Sequence, residues 1–299
     1  MVLAPLAGYT DLPFRSVVKK FGADLTISEM ISSNALVYKS ARTLKMIEKS
    51  PTEDPYFVQI AGNSVELVRD AVLLLNDVDG IDGIDLNCGC PAPKVFNHGS
   101  GSNLLGDLKK LEEILSTVKK YSKKQYTSAK VRIGVNDKIP VEIGKAVEAC
   151  GADFVSVHGR TRAGKYKAPV DYDAIKQMKE AISIPVIANG DIKDYDKAKE
   201  VLAYTNADGV MIGRGAIGKP WVFYQLKHGI EDISNEMKKE IILEHFDAML
   251  EFHGPHGAIM FRKLLHSYSK GYTGANEFRD IVNKISDISI MRDMIENFF

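Results

Sequence analysis

Short strand-like runs, each followed by a stretch of helical period, recur about every 25–35 residues up to about residue 230 of this chain. Eight runs begin near Val2, Leu25, Tyr56, Gly83, Thr127, Asp153, Pro185 and Gly209. The intervening stretches Val65–Leu75, Val141–Cys150, Tyr172–Ile182 and Asp196–Tyr204 repeat their apolar residues with the spacing of one helix face. This is the rhythm of βα units around a parallel sheet. Eight such units over about 220 residues predict a closed (β/α)8 TIM barrel rather than an open sheet. A doubly wound dinucleotide fold would need its glycine fingerprint near the start. The GxGxxG string here, Gly213–Gly218, comes late, and no second βαβ strand with a ribose-binding acid follows it. After an eighth barrel strand the same glycines suit a phosphate-binding loop.

Beyond the polar segment His228–Asn235 the strand patterns stop. Three helices are expected: Met237–Phe252; one marked by Met260, Phe261, Leu264, Leu265 and Tyr268; and one marked by Phe278, Ile281, Ile285 and Ile288. The expected division is a barrel over residues 1–232 and a small all-helical domain over 233–299. Lys+Arg and Asp+Glu both number 39, so affinity for a polyanion would have to come from local clusters. Three cysteines give no disulfide framework, and the start carries no signal-peptide pattern, so a cytoplasmic location is expected. No apolar run approaches the ~18 residues of a membrane span. A monomer with no obligate protein partner is expected. The first strand is read at Val2-Leu3-Ala4-Pro5, with no capping segment before it.

In such a barrel, functional groups gather at the C-terminal ends of the strands. Those ends read Pro5-Leu6-Ala7, Gln59, Asn87 with Cys90, Lys130 with Arg132, His158 with Arg160, Asn189-Gly190-Asp191, and Gly213-Arg214. Ile84-Asp85-Leu86-Asn87 alternates apolar and polar, then Gly89 and Pro91 end the strand and leave Cys90 in a tight turn. Parity puts Cys88 with Ile84 and Leu86, as a small buried hydrophobe facing the helices. The set has no carboxylate pair for glycoside hydrolysis and no tetrahedral metal site. It suits a flavin mononucleotide: Lys130 as the cation near the charge of the reduced ring, Gln59 for the ring's amide edge, and Gly213-Arg214 for the phosphate. Singly, each residue has a plainer role. Lys130 could be an ion-paired core lysine, His158 a structural histidine, and Asn189-Gly190-Asp191 or Gly213-Arg214-Gly215 a turn. Their joint placement at one barrel end favours the cofactor.

Ala4-Pro5-Leu6-Ala7-Gly8-Tyr9-Thr10-Asp11, Pro13-Phe14-Arg15, Gln59-Ile60-Ala61-Gly62 and Asp85-Leu86-Asn87 with Gly89-Cys90-Pro91 continue into a second half of the same pattern. That half is Lys130-Val131-Arg132, His158-Gly159-Arg160-Thr161-Arg162, Asn189-Gly190-Asp191 and Gly213-Arg214-Gly215. In this order, over essentially the whole chain, the sequence resembles the tRNA-dihydrouridine synthases, the bacterial branch most. One departure is Cys88, where the family usually has Met or another apolar residue.

The resemblance implies FMN with NADPH or NADH as reductant, and tRNA as partner. It places flavin contacts at Pro5, Leu6, Ala7, Gln59 and Lys130. His158, Asn189, Gly190, Asp191, Gly213 and Arg214 fall on the ribityl and phosphate side. Saturating the C5–C6 bond of a uracil takes a hydride at C6 and a proton at C5, and the family's catalytic acid falls on Cys90. A thiol with a pKa near 8.5 is mostly protonated at neutral pH and can donate. Asn87 is a candidate to orient the pyrimidine, and the loop Gly99-Ser100-Gly101-Ser102 a candidate lid. Lys94, Arg160 and Arg162 are expected to face RNA, with Lys165 and Lys167 beside them. Arg262 is expected to do the same from a helical stripe shared with His266 and Lys270. The alternatives are an FMN barrel oxidoreductase for a free pyrimidine, like dihydroorotate dehydrogenase, and an RNA-binding protein with a vestigial barrel. The helical domain and the Arg160/Arg162 loop weigh against the first, and intact Lys130, His158 and Cys90 against the second.

Overall fold

A computed structural model describes residues 1–299. Its strands are β1 (Val2–Leu3), β2 (Leu25–Ile27), β3 (Ile31–Ser32), β4 (Tyr56–Ala61), β5 (Gly83–Cys88), β6 (Tyr126–Arg132), β7 (Phe154–His158), β8 (Val186–Asn189) and β9 (Gly209–Ile212). Every pairing is parallel. β1 pairs with both β2 and β9, and β2 also pairs with β4, so the sheet closes on itself. The eight expected strands are the eight staves of a TIM barrel. β3 was not expected. It runs beside the far end of β4, past an interruption where the amide of Gln59 donates to the Ser28 hydroxyl at 2.9 Å. A side-chain acceptor there replaces a ladder carbonyl, and so short a resumption leaves no period to read.

The register builds layers across the barrel interior. Gln59 pairs with Asp85 and Asp85 with Ser128; Asn87 pairs with Lys130; Arg132 pairs with His158 and His158 with Asn189. The side-chain period of two sends these residues inward and their apolar neighbours outward, onto the helices. The outward face joins a 48-residue core that includes Ile84, Leu86, Val131, Val155 and Val157. Burying such a side chain contributes roughly 1.5–3 kcal/mol, so this layer fixes the register. Inside, the N-terminal end is plugged by Val2, Ala4, Leu25, Ile27, Phe57 and Met211. The C-terminal end is polar.

After the barrel come four helices: Asn235–His253, His256–Tyr268, Ala275–Val282 and Ile288–Phe298. The expected third helix is two. Asp287 accepts from the amide of Ile290 and starts a new helix, and Ile281 is 38% exposed, off the buried face. These helices share a second core of 16 buried residues that also takes in Val17 and Trp221 from the barrel side. No helix is long and apolar enough to cross a membrane.

Candidate active site

A cavity of about 1120 Å3 opens at the C-terminal end of the strands and continues toward the helical region. Pro5, Leu6, Ala7, Gln59, Asn87, Cys90, Lys130, His158, Asn189, Gly190, Asp191, Gly213 and Arg214 all line it. Single-ligand pockets usually enclose roughly 300–1,000 Å3, so the cavity is slightly larger than a single-ligand pocket.

The floor is a chain of side-chain hydrogen bonds. Asp85 is fully buried and accepts from Gln59 Nε2 at 2.7 Å and from Ser128 Oγ at 2.7 Å. Gln59 Oε1 accepts from Asn87 Nδ2 at 2.7 Å. Asn87 Oδ1 accepts from the amides of Gly89 at 3.2 Å and Cys90 at 2.9 Å. Burial pushes the Asp85 carboxyl up to about 6, against its hydrogen bonds and the pull of Lys130. Lys130 donates to Asn189 Oδ1 at 3.2 Å; burial, then Arg132, bring its ammonium down to about 8. Cys90 is half-buried, whereas Cys88 and Cys150 are buried. The carbonyl of Cys90 accepts from the Ser102 amide at 3.2 Å and hydroxyl at 2.8 Å, and Ser102 is fully buried. The Gly99–Ser102 segment is therefore a buttress behind the Cys90 turn. The lid expected there is corrected.

The other side of the cavity is cationic. His158 is 6% exposed; burial, then Lys130, Arg132, Arg160 and Arg214, depress its imidazole to about 2, so it is neutral. Its Nε2 lies 3.2 Å from Arg160 Nη1. A guanidinium only donates, so Nε2 accepts and Nδ1 carries the proton. Asp191, at φ 50°, bridges Arg160 at 2.5 Å and Arg214 at 2.7 Å, and these pairings hold its carboxyl below the usual range. The Tyr166 ring covers Arg214, 4.3 Å from the guanidinium carbon to the ring centre. The amide N–H groups of Gly190, Asp191, Gly213, Arg214 and Gly215 donate to no protein acceptor. Five free donors beside a guanidinium fit a phosphate.

Several expectations change. Arg160 is 4% exposed and spends its donors on Asp191, His158 and the Ala168 carbonyl, so it braces the cavity wall and offers RNA no free surface. Arg262 donates to the carbonyl of Ile285, tying the helix His256–Tyr268 to the connection between the two helices that follow. Arg162 is half-buried, its guanidinium carbon 3.9 Å from the Phe96 ring centre. Lys94 is exposed. Asn87 spends its carbonyl on the Cys90 turn and one N–H on Gln59. The residues not singled out are Asp85, beneath the cavity floor, and Tyr166, Lys193 and Lys219, which line the cavity together with Arg132 and Lys270. Arg132 is 2% exposed and donates to the Gly89 carbonyl at 2.8 Å. Strand parity could have flagged Asp85, as it flagged Asn87. Nothing in the local sequence marks Lys193 and Lys219, which converge with Lys270 from separate elements.

The family model of dihydrouridine synthase (Dus) matches residues 2–297. This chain is a member of the dihydrouridine synthase family. A probable tRNA-dihydrouridine synthase of Helicobacter pylori (strain J99) is 53% identical over 300 residues, covering 100% of the chain and 92% of that relative. The tRNA-dihydrouridine synthase B of Vibrio parahaemolyticus is 39% identical, covering 100% of the chain and 95% of that relative. Among solved structures, morphinone reductase in complex with tetrahydroNAD superposes with a TM-score of 0.57 at 13% identity, over 80% of this chain and 89% of that one. An old yellow enzyme homologue from Zymomonas mobilis gives 0.55 at 12% identity, over 80% of this chain and 91% of that one. At such identities the likeness is one of fold. Each strand-end motif contributes at least one residue to the cavity lining, among them Pro5, Gln59, Cys90, Lys130, His158, Asp191 and Arg214.

Proposed function

We propose that this protein reduces the C5–C6 double bond of uridine in tRNA to 5,6-dihydrouridine, using FMN at the barrel mouth and NADPH or NADH as the electron source. The observation that carries this reading is one cavity holding the half-buried Cys90 thiol, the Lys130 amine and the free amides beside Arg214. The donor set suits FMN. The amides of Gly190, Asp191, Gly213, Arg214 and Gly215, with the Arg214 guanidinium, would hold the phosphate. Gln59 and Lys130 would meet the polar edge of the ring, and Pro5, Leu6 and Ala7 would line its bed. Bound there, the flavin supplies hydride for C6 of the base.

Everything else falls to the chain. Cys90 Sγ gives its proton to C5 and is left as thiolate beside the positive charges of Lys130 and Arg132. Water entering from the open mouth returns the proton. Asn87 keeps an N–H for the base. Lys193, Lys219 and Lys270, with Lys94 and Arg162, supply phosphate contacts for a tRNA whose uridine must leave its stack to reach the thiol. In this reading the barrel over residues 1–232 carries the chemistry, the helices over 233–299 hold tRNA, and the protein works as a cytoplasmic monomer.

The test is to incubate the purified protein with FMN, NADPH and tRNA lacking dihydrouridine, then analyse the nucleosides. Dihydrouridine should appear at D-loop positions. A yellow, flavin-loaded protein that oxidises NADPH but leaves every uridine intact would overturn the reading.

A further inference from the structure

The four hydrogen-bonded groups on the cavity floor share one direction. At one end the backbone amides of Gly89 and Cys90 can only donate. At the other, the ionised Asp85 carboxylate can only accept. Between them, Asn87 and Gln59 each carry one donor end and one acceptor end. An amide reversed at either position would set oxygen against oxygen or nitrogen against nitrogen at 2.7 Å. The arrangement is therefore fixed from both ends: Cys90 N–H to Asn87, Asn87 to Gln59, Gln59 to Asp85. Gln59 and Asp85 are fully buried and Asn87 is 7% exposed, so a mispaired group within the relay carries a desolvation cost.

We propose that Asp85 is a positioning residue: its carboxylate sets the polarity of the Asp85–Gln59–Asn87 relay, and through it orients the turn that presents Cys90. The proposal rests on the reading of Cys90 as proton donor and deepens it. The same polarity decides what the cavity meets, because it leaves one free N–H on Gln59 and one on Asn87.

A charge swap tests this directly. In Asn87→Asp a second carboxylate faces Gln59. It still caps the Cys90 turn, but Gln59 must reverse to donate to it, which turns Gln59 Oε1 onto the carboxylate of Asp85. Adding Asp85→Asn supplies a donor at that end, with Ser128 still donating to its oxygen, so both hydrogen bonds of Gln59 reverse and every group is paired. Asp85→Asn alone is mild, because its amide nitrogen can face the Ser128 hydroxyl while its oxygen keeps Gln59.

The measurement is thermal and urea unfolding of the full chain, flavin-free, between pH 5.5 and 8. The Asn87→Asp variant should be destabilised at pH 7.5, and the double variant should recover about tenfold in the folding equilibrium constant relative to additivity, within the range for coupled neighbours. The Asn87→Asp protein should also lose less stability than wild type as pH falls. Its added carboxyl, facing Gln59, binds a proton when folded that it has lost when unfolded, beyond the one Asp85 already keeps, whereas the swapped pair, like wild type, carries a single carboxyl. Lys130 faces this group from β6 in every variant and does not change the sign.

A purely space-filling role for Asp85 predicts additive losses and no change in pH dependence, and that result overturns the proposal. If Asn87→Asp does not fold, recovery of folded protein in the double variant supports the relay, and failure of both overturns it. None of these readouts needs uridine reduction, so an inactive wild type would count against the proposed function and leave the relay test standing.

Discussion

Arg160 donates to Asp191 at 2.5 Å from a position where 3% of its side chain is exposed, while the Asp191 side chain is 35% exposed. A guanidinium that cannot shed its charge is thus neutralised from the rim of the cavity, and the same carboxylate also holds Arg214 at 2.7 Å. Asp191→Asn keeps a residue that tolerates positive φ and removes only the charge. It should cost about 1–3 kcal/mol in urea unfolding of the flavin-free protein, between the values for exposed and buried pairs. Stability equal to wild type would mean that the bridge contributes nothing.

Cys90→Ala should retain flavin and still oxidise NADPH, but form dihydrouridine about 10²–10⁴-fold more slowly, because only the proton for C5 is lost. Cys88 is fully buried in the core behind the strands, so Cys88→Ala should keep the activity and lose a little stability. Stopped-flow reduction followed by nucleoside analysis separates the two half-reactions. An active Cys90→Ala would exclude the thiol as the acid.

Acid should destabilise the protein through its buried histidines. His158 is depressed to about 2, and His245, desolvated beside Tyr268, to about 4. Unfolding lets each take a proton near the ordinary value of about 6.5. Each histidine's share of stability is therefore present at pH 7 and is lost as pH falls below about 6.5, at about 1.4 kcal/mol per pH unit and proton. Asp85, raised to about 6, acts the other way, since the folded state keeps a proton that the unfolded chain releases. Two protons gained against one kept leave a net slope of about one proton between roughly pH 4 and 6. His245→Gln should remove about one proton from that slope. An unchanged slope would show that His245 is not held neutral.

Arg262 and Lys270 lie on or beside one helix but should behave differently. Arg262 is tied to the Ile285 carbonyl, so Arg262→Ala should lower the unfolding temperature and leave the salt dependence of tRNA binding unchanged. Lys270 is exposed at the cavity mouth, so Lys270→Ala should lower that salt slope by roughly one and leave stability alone. The opposite pattern, measured by binding titrations at several salt concentrations, would return Arg262 to the RNA surface.

The eight staves, the position of the Cys90 turn, the inward parity of Asn87 and the place of Gln59 and Lys130 at strand ends were written in the sequence, because strand alternation and βα rhythm are local properties. So was the family, carried by short motifs at strand ends. Local pattern could not say which polar groups are already spent. Arg160, Arg262 and Asn87 read as free hydrogen-bonding groups until the fold brought Asp191, the Ile285 carbonyl and the Cys90 amide within reach. The same holds for the fourth C-terminal helix, which depends on Asp287 capping a new turn rather than on apolar spacing. Asp85 is the clearest case. Its inward direction is a matter of parity, but its hold on Cys90 exists only because β4, β5 and β6 lie side by side in one register. Hydrogen-bond partners across strands are set by tertiary pairing, and only the folded barrel decides them.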